Sequence, residues 1–244
     1  MANRVSDHER HSEYLQAMGI QVWHQREPNE SKQPEGLPHV APAQPVEAPA
    51  QAGDDDWQTL VDEVAACTRC ELSTTRTQTV FGVGDRSADW LIIGEAPGAD
   101  EDRQGEPFVG RAGKLLNAML FAAGLRREQV YIANILKCRP PGNRDPKAQE
   151  VVHCEAYLRR QVALIQPKII LAVGRIAAQN LLKSDARIGA LRGQRFEYAD
   201  TGIPVVATYH PAYLLRSPLE KRKSWSDLQL AMRILSQAGG GLET

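Results

Sequence analysis

The sequence predicts an α/β fold, a three-layer α/β/α sandwich around a central, mostly parallel four-stranded sheet. Two observations predict it. Short apolar runs of three to five residues alternate four times with longer stretches whose apolar residues recur at three and four spacing. Strands separated by helices in this way pair in parallel and carry helices on both faces. The composition supports one sizeable core, since 42% of the 244 residues are hydrophobic and 24% are charged. It excludes collagen, a coiled coil and full disorder. No stretch approaches the ~18 to 20 consecutive apolar residues of a membrane span, and the first ten residues are polar. A soluble, cytoplasmic monomer without a membrane partner is expected.

Residues 27–53 carry Pro28, Pro34, Pro38, Pro42, Pro45 and Pro49 among Gln, Glu and Ala without helix or strand period, which reads as a disordered linker. Ahead of it, residues 1–26 contain a cluster at 11–23 of Tyr14, Leu15, Met18, Ile20, Val22 and Trp23, a candidate docking peptide for a protein partner. The folded body, 54–238, opens with Asp54, Asp55 and Asp56 before Trp57, Leu60, Val61 and Val64, an acidic helix start running toward Cys67. Strands are expected at 90–93, 130–132, 169–173 and 205–208, followed respectively by helices at 114–123, 146–165, 175–182 and 219–235. Residues 239–244 are expected to form a flexible end.

Net charge is −1, but the signs separate along the chain. Residues 1–56 hold four basic and ten acidic side chains, and the remainder holds 25 basic and 20 acidic ones. A mildly basic body suits a polyanionic partner such as nucleic acid.

Ligands of open parallel sheets bind outside the carboxyl ends of the strands. After the first strand comes Gly94-Glu95-Ala96-Pro97-Gly98, then Glu101 and the run Gly105-Glu106-Pro107-Phe108-Val109-Gly110-Arg111-Ala112-Gly113. These glycines and prolines describe a shaped loop that approaches a ligand closely. No Gly-Lys-Ser/Thr follows, so it is not a P-loop, and Gly82-Val83-Gly84 lacks the third glycine of a dinucleotide fingerprint. The second strand ends in Asn134 and the fourth leads to His210. A carboxylate, a carboxamide and an imidazole past different parallel strands converge on one end of the sheet, an active-site layout.

The cysteines are Cys67, Cys70, Cys138 and Cys154. Intracellular disulfides are disfavoured, so four thiols with one C-x2-C pair point to a metal site joining the first helix to the third. Spacing alone leaves zinc and an iron–sulfur cluster both open.

Cys67-Thr-Arg-Cys70, the Gly94–Gly98 loop with its Gly105–Gly113 continuation, Asn134 with Lys137-Cys138-Arg139-Pro140-Pro141, and His210-Pro-Ala-Tyr-Leu-Leu-Arg216 together resemble the family 4 uracil-DNA glycosylases. The resemblance spans roughly residues 57–235 and implies a uracil-DNA glycosylase-like fold. It also implies a structural 4Fe-4S cluster on the four cysteines, and uracil-containing DNA as the partner of the basic body. By the same resemblance, His210 serves uracil O2, Asn134 reads the amide edge of the base and Phe108 stacks on it. Gly94, Ala96 and Gly98 belong to the base-binding loop, and Glu101 is the wall that excludes the thymine methyl. Glu95 is the carboxylate acting on the water or the sugar cation, where family 1 enzymes instead carry an Asp at the position of Ala96. Leu214 and Leu215 are expected as exposed side chains wedged into the space a flipped base vacates, with Arg216 and the Lys221-Arg222-Lys223 run as phosphate contacts.

The rival reading is a non-catalytic Fe-S or Zn nucleic-acid-binding module, which uses the same cysteines but gives no reason for Glu95, Asn134, Phe108 and His210. A phosphoester hydrolase would need a metal-binding cluster of Asp and His that the sequence does not display.

Overall fold

The structure, a computed structural model, describes residues 54–239. The docking peptide expected within 1–26, the linker at 27–53 and residues 240–244 lie outside the described residues. Helix α1 (Asp54–Ala65) buries Trp57, Leu60 and Val64 on one face, as their three and four spacing dictates. The four expected strands are present as β2 (Trp90–Gly94), β3 (Tyr131–Asn134), β4 (Ile169–Val173) and β6 (Pro204–Thr208), and they pair in parallel with one another.

The sheet nevertheless has six strands, in the order β1-β3-β2-β4-β6-β5. The added ones are antiparallel edges, β1 (Val83–Gly84) on β3 and β5 (Arg195–Glu197) on β6. Two or three residues, half-buried or exposed, are too few for an alternating pattern to register.

Alternate residues of the parallel strands feed two cores. Leu91, Ile93, Tyr131, Ala133, Ile170, Ala172, Val205 and Ala207 pack with α1, with α4 (Ala148–Ile165) and with α5 (Arg175–Leu182). Trp90, Ile92, Ile132, Leu171 and Val206 pack with Leu116 and Leu120 of α3 (Arg111–Ala122), and with Leu228, Ala231 and Ile234 of the last helix (Lys221–Gly239). Burying a Leu or Ile completely, as at Leu91, Ile92 and Ile93, stabilises the fold by about 1.5–3 kcal/mol each. These two cores are the reason the strands read as continuous apolar runs.

Helix α3 follows β2 on one face and α4 follows β3 on the other. The chain therefore leaves the middle of the sheet in opposite directions and opens a crevice at the carboxyl ends of the strands. Short helical segments include α2 (Ala99–Gln104), α6 (Ile188–Leu191), α7 (Pro211–Arg216) and a turn at Pro218–Glu220 that leads into α8, the Lys221–Gly239 helix. Among the described residues, no helix is long and apolar enough to cross a membrane.

Candidate active site

The carboxyl ends of β2, β3, β4 and β6 open into one cavity of about 930 Å3. Glu95, Ala96, Gly98, Glu101, Phe108, Asn134, His210 and Arg216 all line it. That size is at the upper end of ordinary ligand pockets, roughly 300–1,000 Å3. The expected base-pocket and catalytic residues thus meet, with Gly94 as the exception.

Gly94 does not line the cavity but makes it possible. A Cβ there would lie 2.4 Å from Asn134 Oδ1 and 2.7 Å from the Phe108 ring, so only glycine lets the carboxamide and the ring close over the strand end. Asn134 is 2% exposed and sits opposite Gly94 in the β2–β3 register. Phe108 takes a left-handed backbone, φ 55, in a loop closed by Arg127, whose Nη2 donates to Pro107 O at 2.6 Å. Gly113 allows this approach, because a Cβ there would overlap the Phe108 carbonyl oxygen. Gly94→Ala is therefore expected to displace Asn134 and Phe108 without unfolding the sheet. kcat/KM for the reaction of this site should fall by about 10- to 100-fold while thermal melting moves little, and unchanged kinetics would show that the two side chains do not need their present places.

His210 caps α7, and its Nδ1 accepts the Ala212 N–H at 3.1 Å. The ring proton then resides on Nε2, which makes that nitrogen a donor. Burial pushes the imidazole pKa down to about 4, Arg216 pushes the same way and Glu101 opposes. His210 is accordingly neutral at physiological pH, with its ring stacked at 5.6 Å on Phe108. A donor without a net charge suits an oxygen on which charge develops only during reaction.

Glu95, half-buried, lines the cavity with Glu101 and Asp145. Burial raises its pKa to about 7, Asp145 raises it further by repulsion and Arg175 opposes. Asp145 and Arg175 form an ion pair at 2.6 Å on the cavity rim, and Arg175 Nη1 also donates to Gln179. Neither stands out in the sequence. Arg175 nonetheless lies two residues past the end of β4, where the rule that directs attention to strand ends could have found it.

Glu101 fastens the two loops that frame the base site. Its Oε1 accepts the Val109 and Gly110 N–H groups at 3.0 and 3.2 Å, and its Oε2 accepts the Gly98 N–H at 3.1 Å. The carboxylate is thereby immobilised while the side chain lines the cavity.

Leu214 corrects an expectation. It is completely buried, because 211–216 forms a helix in which adjacent residues point about 100° apart, so Leu214 and Leu215 are not both exposed. Leu215 is 37% exposed, and Leu219, on the following turn, is 85% exposed, the largest exposure among the large apolar side chains described. Arg144, Arg175, Arg187 and Arg216 line the cavity together. Arg144 is held by a bidentate pair with Glu150, and Lys223 of the expected phosphate run pairs with Glu220 at 2.7 Å.

All four cysteines line a second, apolar cavity between α1, the segment after β3, and α4. Cys138 and Cys154 are buried, and Cys67 and Cys70 are half-buried. Arg76 Nη1 donates to Cys138 Sγ at 3.1 Å, and the Lys137 N–H donates to Cys154 Sγ at 3.3 Å. Burial pushes the Cys154 thiol up to about 11 and raises that of Cys138, so coordination by metal is what would remove their protons. Among the described residues, no three Cys, His, Asp or Glu side chains converge on a single-ion site. Four sulfurs ringing a common cavity, two of them receiving N–H donors, fit a cluster in which each iron takes its own thiolate.

A family model described as the uracil DNA glycosylase superfamily matches residues 81–229. The chain is 47% identical over 176 residues to a type-4 uracil-DNA glycosylase of Archaeoglobus fulgidus, covering 70% of this chain and 88% of that protein. It is 42% identical to the type-4 enzyme of Sulfurisphaera tokodaii, over 67% of this chain and 78% of that one. To the type-4 enzyme of Thermotoga maritima it is 38% identical, over 73% of this chain and 94% of that one. With these relatives covered over most of their length and the strand-end residues gathered in one cavity, the chain belongs to the uracil DNA glycosylase superfamily, among its type-4 members.

Proposed function

We infer that the protein is a DNA repair glycosylase that flips uracil out of DNA and hydrolyses its N-glycosidic bond, leaving an abasic site. The observation that carries this reading is the meeting of Glu95, Phe108, Asn134 and His210 in one cavity at the strand ends. A non-catalytic binding module would leave that convergence without purpose.

A base inside the duplex stack is out of reach, so the nucleotide is extruded into the cavity. Phe108 stacks on the flipped uracil. Asn134 Oδ1 accepts from uracil N3–H and its Nδ2 donates to O4, a pairing that cytosine, with an amino group at position 4 and a bare N3, reverses at both atoms. The side chain of Glu101, fastened by three backbone N–H groups, stands as the wall against a 5-methyl group.

The bond from N1 to C1′ breaks with its electron pair going to uracil. His210 Nε2–H donates to O2 as that oxygen becomes anionic, and the neutral ring makes this possible without a proton transfer. Ionised Glu95 stabilises the sugar cation and accepts a proton from the water that adds to C1′. Uracil departs as its anion and is protonated in solvent.

Cys67, Cys70, Cys138 and Cys154 hold a 4Fe-4S cluster, a reading supported by their shared cavity and by the type-4 relatives. When bound, such a cluster supplies a cross-link among α1, the segment after β3, and α4, and hydrolysis requires no electron from it. DNA lies across the cavity mouth, with Arg216 and neighbouring arginines on its phosphates and Leu215 and Leu219 against the vacated stack. Leu219→Ala is expected to lower excision from double-stranded DNA by about 5- to 20-fold and from single strands by much less, since only a duplex has a partner base to hold out. Equal losses on both substrates would remove the wedge.

The reading is tested with anaerobically purified protein, scanned for iron–sulfur absorbance and incubated with a uracil-containing oligonucleotide before alkaline cleavage. A brown protein that nicks at uracil is the expected result. One that binds but never cleaves returns the binding module, and a colourless zinc protein removes the cluster assignment.

A further inference from the structure

The four-cysteine cavity and the uracil pocket share one stretch of chain, residues 134–138, and its hydrogen bonds run to both sides. Asn134 ends β3 inside the pocket. The Ile135 N–H donates to Gly94 O at 2.9 Å and the Leu136 N–H to Glu95 O at 3.0 Å, so this stretch holds the backbone that carries the candidate catalytic carboxylate. The Lys137 N–H then turns to Cys154 Sγ, and Cys138 lines the cysteine cavity.

Lys137 itself is 1% exposed, a rare location for a lysine. Its Nζ donates to Asn134 O at 3.0 Å, Phe81 O at 3.2 Å and Gln161 Oε1 at 2.6 Å, one acceptor for each ammonium proton. Gln161, also fully buried, returns a hydrogen bond from Nε2 to Phe81 O at 3.0 Å. Lys137, Phe81 and Gln161 do not line the uracil pocket, and an apolar side chain of the same length as Lys137 would fill the space without the cost of burying an ammonium. What such a side chain could not do is tie the Asn134 carbonyl to the wall of the cysteine cavity. A fully satisfied buried network of this kind fixes one geometry.

We propose that Lys137 is a positioning residue that couples the four-cysteine centre to the reading of uracil. Its main chain is bonded to a cysteine sulfur and its side chain to the carbonyl of Asn134, so the carboxamide is held where the cysteine centre places it. The proposal rests on the glycosylase reading above. It also gives a hydrolase that needs no electron a reason to build its base pocket next to a metal centre.

Lys137→Met, which keeps the unbranched stem and removes the three donors, is compared with Asn134→Ala and with the double variant in the full-length protein, each brought to the iron content and absorbance of the parent. Lys137→Met is expected to lower single-turnover uracil excision by about 10- to 100-fold, the scale for a catalytic group moved by a fraction of an ångström to an ångström. Because Lys137 acts through Asn134, it should add almost nothing in the Asn134→Ala background. Amide exchange at Ile135 and Leu136 should speed up while that of Leu228 and Ala231 in α8 stays the same. If Lys137→Met does not fold, Gln161→Leu, which removes one acceptor of the ammonium and the link to Phe81, carries the same comparison with a smaller effect. Losses that multiply in the double variant, with unchanged exchange at residues 135 and 136, overturn the proposal alone. A parent protein that loads iron yet leaves uracil in place overturns the glycosylase reading, and the proposal with it.

Discussion

His210→Ala is expected to lower the single-turnover rate of uracil excision by about 100- to 1,000-fold, the scale of loss when one donor to a developing oxyanion is removed. The size follows from the way the donor is prepared. Nδ1 is occupied by the Ala212 N–H, so the Nε2 proton is already directed outward and no reorganisation is spent at the moment the bond breaks. Binding of DNA that carries an abasic site should change little, because the oxyanion exists only in the reaction. The same histidine gives a stability signature. Its folded pKa of about 4 lies below the ordinary 6.5, so the unfolded chain takes up a proton as pH falls through 6.5 and the native chain does not until about 4. Stability from this group is therefore full above about 6.5 and is lost between 6.5 and 4, a loss that His210→Ala should lack. A variant that excises uracil within about threefold of the parent, a shift under 1 kcal/mol, would sink the assignment.

Much of this site was legible in the sequence because the sheet dictates where reactive groups can stand. Glu95, Asn134 and His210 follow apolar runs whose meaning as buried parallel strands is unambiguous, and the strand ends of such a sheet face one crevice. Burial on both faces makes those runs continuous, which is why β2, β3, β4 and β6 were found and the two- and three-residue edges β1 and β5 were not. Leu214 shows the limit of reading exposure from a motif. Pro211 follows the capping His210 and starts a helix, and a single helical turn places Leu214 in the core and leaves Leu215 half-exposed. Asp145 and Arg175 stayed hidden for a different reason. They are 30 residues apart, and only the closing of the crevice makes them an ion pair beside Glu95. The cysteine spacing likewise allowed a metal site, but the shared cavity and the run of bonds through Lys137 belong to tertiary structure.

Glu95→Gln carries the second large effect, and its pH dependence is the sharper test. At about pH 8 the variant is expected to excise uracil about 100-fold or more slowly than the parent, the scale of a lost general base or charged partner. With a pKa of about 7, the parent should lose the active carboxylate as pH falls through 7, so its rate declines about tenfold per unit below that point. The neutral carboxamide of the variant has nothing to titrate, so its rate stays flat and the gap narrows steadily toward about pH 5.5. Neutral His210 contributes no second limb in this range, since it takes its proton only near pH 4. The stability effect has the opposite sign to the catalytic one. A carboxyl whose folded pKa is raised favours the native state below about 4.5 and progressively loses that contribution as pH rises through 7, where its charge must be held in a desolvated site beside Asp145. Glu95→Gln should therefore melt above the parent at about pH 8 and together with it below about pH 4.5, so that a carboxylate costly to the fold at working pH is one on which the proposed reaction depends. A parent rate that is level from about pH 5.5 to about 8.5, or a variant whose profile runs parallel to it, would take the titrating carboxylate away from Glu95.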